Sequence, residues 1–205
     1  MATDTVEASG DPAGGVQWDG SSVAVQATDA DRPVWQGETR GTNFDRSSGQ
    51  HLYSPEPATF WKFLNHTGGT IVASVKPDDL TNPKRILTTR ESGNGIYFDI
   101  NNNDLRFGSE AGGSPANRAA SGVISAGVYQ QVAAAFDPTT MKFYVDGVLV
   151  RDTSQTNFGD VDPEGTAHFG SEIGTGGNYF DGDIEYIAVY DRVLTQSEIQ
   201  SIEVK

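Results

Sequence analysis

Apolar and polar residues alternate with a period of two along much of the chain, the signature of strands with one buried face. In MKFYVDGVLVRD, residues 141–152, two alternating runs flank Asp146-Gly147. That pair accepts the positive φ angles of a type I′ turn, so the segment predicts a hairpin with Asp146 and Gly147 at its tip. Further strands are predicted at TIVASVKP (70–77), RILTTR (85–90), GIYFDI (95–100), DLRFG (104–108) and GVYQQVAAAFD (127–137). The Gly-, Ser- and Ala-rich stretch 109–121 reads as a loop.

Alternation also assigns faces. Ile71, Ala73 and Val75 share one side of their strand, with Val72, Ser74 and Lys76 on the other. Met141, Phe143 and Val145 alternate with Lys142 and Tyr144. In DIEYIAVYD (183–191), strict alternation groups Ile184, Tyr186, Ala188 and Tyr190 against Glu185, Ile187, Val189 and Asp191. Apolar residues on both sides mark a central strand covered by a second layer. Helical signals are sparse. Phe60, Phe63 and Leu64 in TFWKFLN (59–65) have helical spacing, and Thr195-Gln-Ser-Glu198 is a capping box opening a helix over 195–202. The pattern predicts an all-β, two-sheet antiparallel jelly-roll sandwich of about 12 to 14 strands with one or two short helices.

Composition narrows the picture. The 205 residues suit one large all-β domain, expected over 23–205, after an N-terminal arm over 1–22 rich in Gly, Asp, Thr and Ala. The 28 acidic residues outnumber 14 basic ones, for a net charge of −14. That balance argues against nucleic acid and anionic membranes as partners, because phosphate contacts need clustered Lys and Arg. No apolar run approaches the roughly 20 residues of a membrane span, so no membrane insertion is expected. The start, MATDTVEASGDPAGG, has neither the basic nor the apolar part of a signal peptide. Without cysteine, there is no disulfide framework and no Cys-ligated metal.

Three stretches together carry a family likeness. Phe44, Asp45 and Leu52 keep the order of an F-D-G-x-x-x-x-L pattern, with Arg46 in place of Gly and one residue more before Leu52. QQVAAAFDPTTMKFYVDGVLV (130–150) follows the form W-x-H-V-A-x-x-x-D before x-L-Y-V-D-G-x-L-V, with Tyr129 at the Trp position and Gln131 at the His. FDGDIEYIAVYDRVLTQSE (180–198) supplies the last strand and helix. In this order they resemble a laminin G-like domain of the concanavalin A-like lectin/glucanase superfamily, of the free-standing phage or bacterial type. The resemblance implies a jelly roll that binds by contact.

The candidate chemistry is thin. Asp181, Asp183 and Glu185 alternate onto one face, and a retaining glycosidase needs two carboxylates about 5–5.5 Å apart; as the entry to the last strand, however, they read as structural, and no enzymatic activity is expected. His51, His66 and His168 lack the spacing of metal ligands. The resemblance implies Ca²⁺ held by rim loops, with Asn101–Asp104 and Asp160–Asp162 as the acid- and amide-rich loops; neither has D-x-D-x-D-G spacing, and turn chemistry is favoured, so no metal site is assigned. For sugars, the ligand-binding candidates are Asn94 in ESGNGIY and Asn178-Tyr179 in GTGGNYFDG, which place amides and an aromatic ring among glycines. Two functions remain. The main expectation is a non-enzymatic virion structural, decoration or fibre protein at the virion surface, contacting other virion or surface proteins, with a homo-oligomer as one form. The alternative is a carbohydrate-binding, lectin-like adhesion module, extracellular or at a cell surface, whose partners are glycans.

Overall fold

The computed structural model describes residues 16–18, 34–35, 42–49, 51–54, 68–111, 114–154, 166–172 and 177–202. Among these are fourteen strands: β1 (Val16–Trp18), β2 (Val34–Trp35), β3 (Thr42–Phe44), β4 (Leu52–Tyr53), β5 (Gly69–Pro77), β6 (Pro83–Thr88), β7 (Gly95–Asn101), β8 (Asp104–Ala111), β9 (Ser114–Ala120), β10 (Gln130–Phe136), β11 (Thr140–Val145), β12 (Val148–Ser154), β13 (His168–Phe169) and β14 (Gly182–Tyr190). One short helix follows, α1 (Gln196–Ser201). The large sheet has eight strands in the order β12-β11-β10-β5-β14-β3-β2, with β1 also on β14; the small sheet has six, β4-β13-β6-β7-β8-β9. Every recorded pairing is antiparallel, which is the expected jelly-roll sandwich.

The core lies between the sheets. Ile71, Ala73, Val75, Val132, Phe143 and Val189 from the large sheet meet Leu87, Phe98, Ile100, Leu105 and Phe107 from the small one. The face opposite the core on the large sheet is apolar too: Val72, Ala133, Ala135, Tyr144, Tyr186, Ala188 and Tyr190 form a second cluster closed by Leu194 and Ile199 of the C-terminal segment. This is why β14 reads as apolar on both sides. Tyr144, expected on the polar side of its strand, belongs to this cluster.

Strict alternation fails where a bulge interrupts the ladder. In β14, Ile184 pairs with Val75 and Tyr186 with Ser74, leaving Glu185 as an extra residue. The insertion reverses the phase. Ile184 therefore joins Ile187 and Val189 in the inter-sheet core, while Tyr186, Ala188 and Tyr190 face α1, correcting the predicted grouping. A second irregularity between Arg85 and Leu87 lets both Ile86 and Leu87 enter the core. The predicted loop 109–121 is also corrected. β8 runs on to Ala111, and β9 pairs with it along its whole length. β9 is an edge strand with little to bury, so its small residues carried no strand signal.

The predicted hairpin and helix both form, and they touch. Asp146 and Gly147 have φ of 49° and 70°. The capping box closes with Thr195 accepting from the Glu198 backbone and Glu198 accepting from that of Thr195. Gln196 and Gln200 both donate to the Gly147 carbonyl, at 3.0 and 2.9 Å, so the hairpin tip is pinned to the helix. The expected helix over 59–65 lies outside the described residues. Of the expected arm, Val16–Trp18 pairs with Val189–Ile187, and the rest also lies outside them.

Gly147→Val forces a β-branched residue to positive φ and places a Cβ 2.6 Å from Gln200 Cγ. The expected cost is about 1–3 kcal/mol, read as a lowered melting temperature; a melt matching the parent contradicts the role given to this turn.

Candidate functional site

The small sheet turns Leu87, Phe98 and Phe107 inward, so the alternate positions on β6, β7 and β8 point away from the core. Those positions carry charge. Arg85 pairs across with Asp99, and Asp99 with Arg106, giving a plus-minus-plus row over three adjacent strands. Arg106 grips Asp99 through Nε and Nη2 at 2.8 and 2.7 Å, and Arg85 adds Nη1. Asp99 is fully buried by these partners. In the next row, the Tyr97 ring lies over Gly108, where any Cβ would collide with it, and the guanidiniums of Arg85 and Arg106 stand 4.3 and 5.4 Å from its centroid.

A second set of links runs from the end of β13. Glu172 accepts from Arg85 Nε at 2.7 Å and from Arg90 Nη1 at 2.8 Å, while Arg90 Nε donates to Glu110. Asn178 closes the network: its amide donates to Glu172 at 3.0 Å and its carbonyl accepts from the Arg85 backbone at 2.8 Å. Burial pushes the Glu172 carboxyl up, but the Arg85 charge and the hydrogen bonds from Asn178, Arg85 and Arg90 outweigh it and hold the group below the usual range. Burial weighs against the charge on Arg85, yet a guanidinium does not deprotonate in a protein. Glu172 and Arg85 therefore stay ionised.

Beside it is an aromatic edge. His51 and His168 stack with centroids 5.7 Å apart and planes within 6°, and Tyr179 leans on His51 at 6.3 Å. Three consecutive residues thus have three duties: Asn178 enters the charge network, Tyr179 joins the aromatic edge, and Phe180 anchors both by packing edge-on against Phe44 in the core. Tyr179 is half-buried against Gly49.

Of the sequence-predicted ligand residues, Asn178 and Tyr179 sit together here. Asn94 instead closes the β6–β7 turn, exchanging two 2.8 Å backbone hydrogen bonds with Glu91 around Ser92 and Gly93 at positive φ. Arg85, Arg90, Tyr97, Asp99, Arg106, Glu110, Glu172, His51 and His168 were not singled out as ligand residues. Alternation in GIYFDI and DLRFG does set Tyr97, Asp99 and Arg106 opposite the apolar positions, and that is the signal from which the face was legible.

The acids considered for catalysis are engaged elsewhere. Asp181 pairs with Arg46 at 3.4 Å, Asp183 is buried under Lys76, Asn43 and Tyr129, and Glu185 accepts from Ser74. Asn101–Asp104 builds the β7–β8 turn, with Asp104 accepting from Ser121 and Gly122; Asp160–Asp162 lies outside the described residues. Among the described residues, no three His, Asp or Glu side chains converge as a metal site.

Burial and the neighbouring His51 hold the His168 imidazole down at about 4, against 6.5 ordinarily. The unfolded chain therefore takes up this proton first on acidification, so stability present above pH 6.5 is lost as pH falls from 6.5 to 4. Melting temperature should drop across that window and drop less in His168→Gln; parallel profiles contradict the buried placement.

The fold recurs in solved structures of low identity. CBM40 of the Ruminococcus gnavus IT-sialidase, bound to α2,3 sialyllactose, superposes with a TM-score of 0.58 at 20% identity, covering 70% of this chain and 85% of that one. Domain 4 of AbnA, a GH43 extracellular arabinanase from Geobacillus stearothermophilus in complex with arabinotriose, gives 0.60 at 19% identity over 78% and 74%. The receptor-binding domain of botulinum neurotoxin mosaic serotype C/D gives 0.60 at 17% over 82% and 43%. No curated protein matches the sequence. The family model Laminin_G_3 matches residues 46–200, and the chain belongs to that family of the concanavalin A-like lectin/glucanases superfamily.

Proposed function

We propose that this protein is a lectin-like carbohydrate-binding module that acts by contact and without catalysis, with the outer face of the small sheet and its Asn178-Tyr179 edge as the glycan surface. One observation carries the reading. Fixed donors and acceptors of Arg90, Arg106 and Glu172 lie partly open on the sheet, beside the half-buried Tyr179 ring. A sugar needs both elements: hydroxyls that donate and accept at once, and an aromatic surface for its C–H face. The opposite outer face, on the large sheet, is sealed by Leu194 and Ile199.

The carbohydrate-bound neighbours support this choice between the two expected functions. The virion-decoration expectation has no support in the fold or in these comparisons, and the lectin-like alternative takes its place. An extracellular or cell-surface setting goes with it.

A glycan array with labelled protein tests the reading. Retention on a defined set of oligosaccharides is expected, with Tyr179→Ala weakening it about three- to ten-fold, the worth of one aromatic contact of about 0.5–1.5 kcal/mol. Val148→Ser, on the exposed β12 edge of the other sheet, should leave it unchanged. Equal losses from both variants, or release of reducing sugar from the bound glycans, contradict the proposal.

A further inference from the structure

Among the described residues, every guanidinium on this face is already engaged by a carboxylate of the chain itself. Arg106 uses its Nε–Nη2 fork on Asp99. Arg85 turns Nε and Nη2 to Glu172 and Nη1 to Asp99. Arg90 divides itself between Glu110 and Glu172. Among the described residues of this network, three arginines thus face three carboxylates, and their charges cancel.

We infer that the site selects uncharged, hydroxyl-rich glycans and discriminates against carboxylated sugars such as sialic and uronic acids. The inference rests on the glycan-binding reading and specifies its ligand class. A sugar carboxylate binds best to two parallel N–H groups of one guanidinium. Here it would have to displace Asp99 or Glu172, or lie next to them, and like charges at close range repel strongly where water is partly excluded. The chain's net charge of −14 adds repulsion at longer range. A hydroxyl meets no such barrier. Arg106 Nη1 and Arg90 Nη2 hold no carboxylate among the described residues, and each can donate to a hydroxyl oxygen. Glu172 can accept from a hydroxyl in return. The stacked His168, neutral above about pH 4, brings no compensating positive charge to the edge.

The test uses pairs of ligands that differ only in charge: sialyllactose against its methyl ester, and oligogalacturonate against its methyl-esterified form, beside neutral arabino-, xylo-, manno- and cello-oligosaccharides. Affinities are measured by calorimetry at pH 7 and two salt concentrations. The expected result is binding within the neutral set or the esters, at least ten-fold tighter than to the matching acids, and nearly independent of salt. Glu110→Gln, which releases Arg90 from one of its two carboxylates, should narrow the gap between acid and ester. Tighter binding of an acid than of its ester, weakened by salt, overturns the inference and leaves the glycan-binding reading standing. A preference for esters that Glu110→Gln leaves unchanged overturns the assignment to this network. Failure of the whole panel to bind overturns the glycan-binding reading itself, and the inference with it.

Discussion

A carboxylate with no exposure to water, Asp99, sits on the outer face of a β-sheet between two arginines. Burying an unpaired charge is prohibitive, and a buried pair is tolerated only when geometry and hydrogen bonds are nearly complete. The rest of the face follows from that requirement. Arg106 must present its fork edge, so its strand must be in register with β7. Tyr97 must lie flat against the arginines, so the residue under its ring must be Gly108. Arg85 in turn needs Glu172, which needs the Asn178 turn to hold it. Removing the Asp99 carboxylate would leave two guanidiniums short of a partner, a change that costs several kcal/mol in buried networks. Such a surface is rigid before any ligand arrives, and rigidity reduces the entropy lost on binding.

The two sheets divide the labour. The large one is apolar on both sides and uses its outer face for folding: Ile199 and Leu194 cover it, and the hairpin tip at Gly147 accepts two amide hydrogen bonds from α1. The small one spends only its inner face on the core. Its outer face is polar, satisfied and partly open, which is why the proposed glycan surface lies there.

Much of this was legible in the sequence. Alternation located the long strands, Asp146-Gly147 marked the turn, and Thr195 with Glu198 marked the helix, because each signal is local. The bulge at Glu185 was not legible, since one extra residue is visible only against its partner strand β5. β9 escaped because an edge strand of small residues gains its stability from pairing alone. For the site, Asn178 and Tyr179 stood out as an amide and an aromatic among glycines. The charges around them did not, because Arg85, Asp99, Arg106 and Glu172 converge only when four strands align. His51 and His168 likewise stack across a separation that no spacing rule covers.

On the proposed reading the small sheet's outer face, and no other surface, receives the ligand. Amide chemical-shift mapping by NMR, with the tightest-binding neutral oligosaccharide added in steps, tests this. The shifting amides are expected to cluster on β6, β7 and β8 and at Asn178 and Tyr179. Shifts confined to β10–β12 and α1, with the small sheet silent, would contradict it.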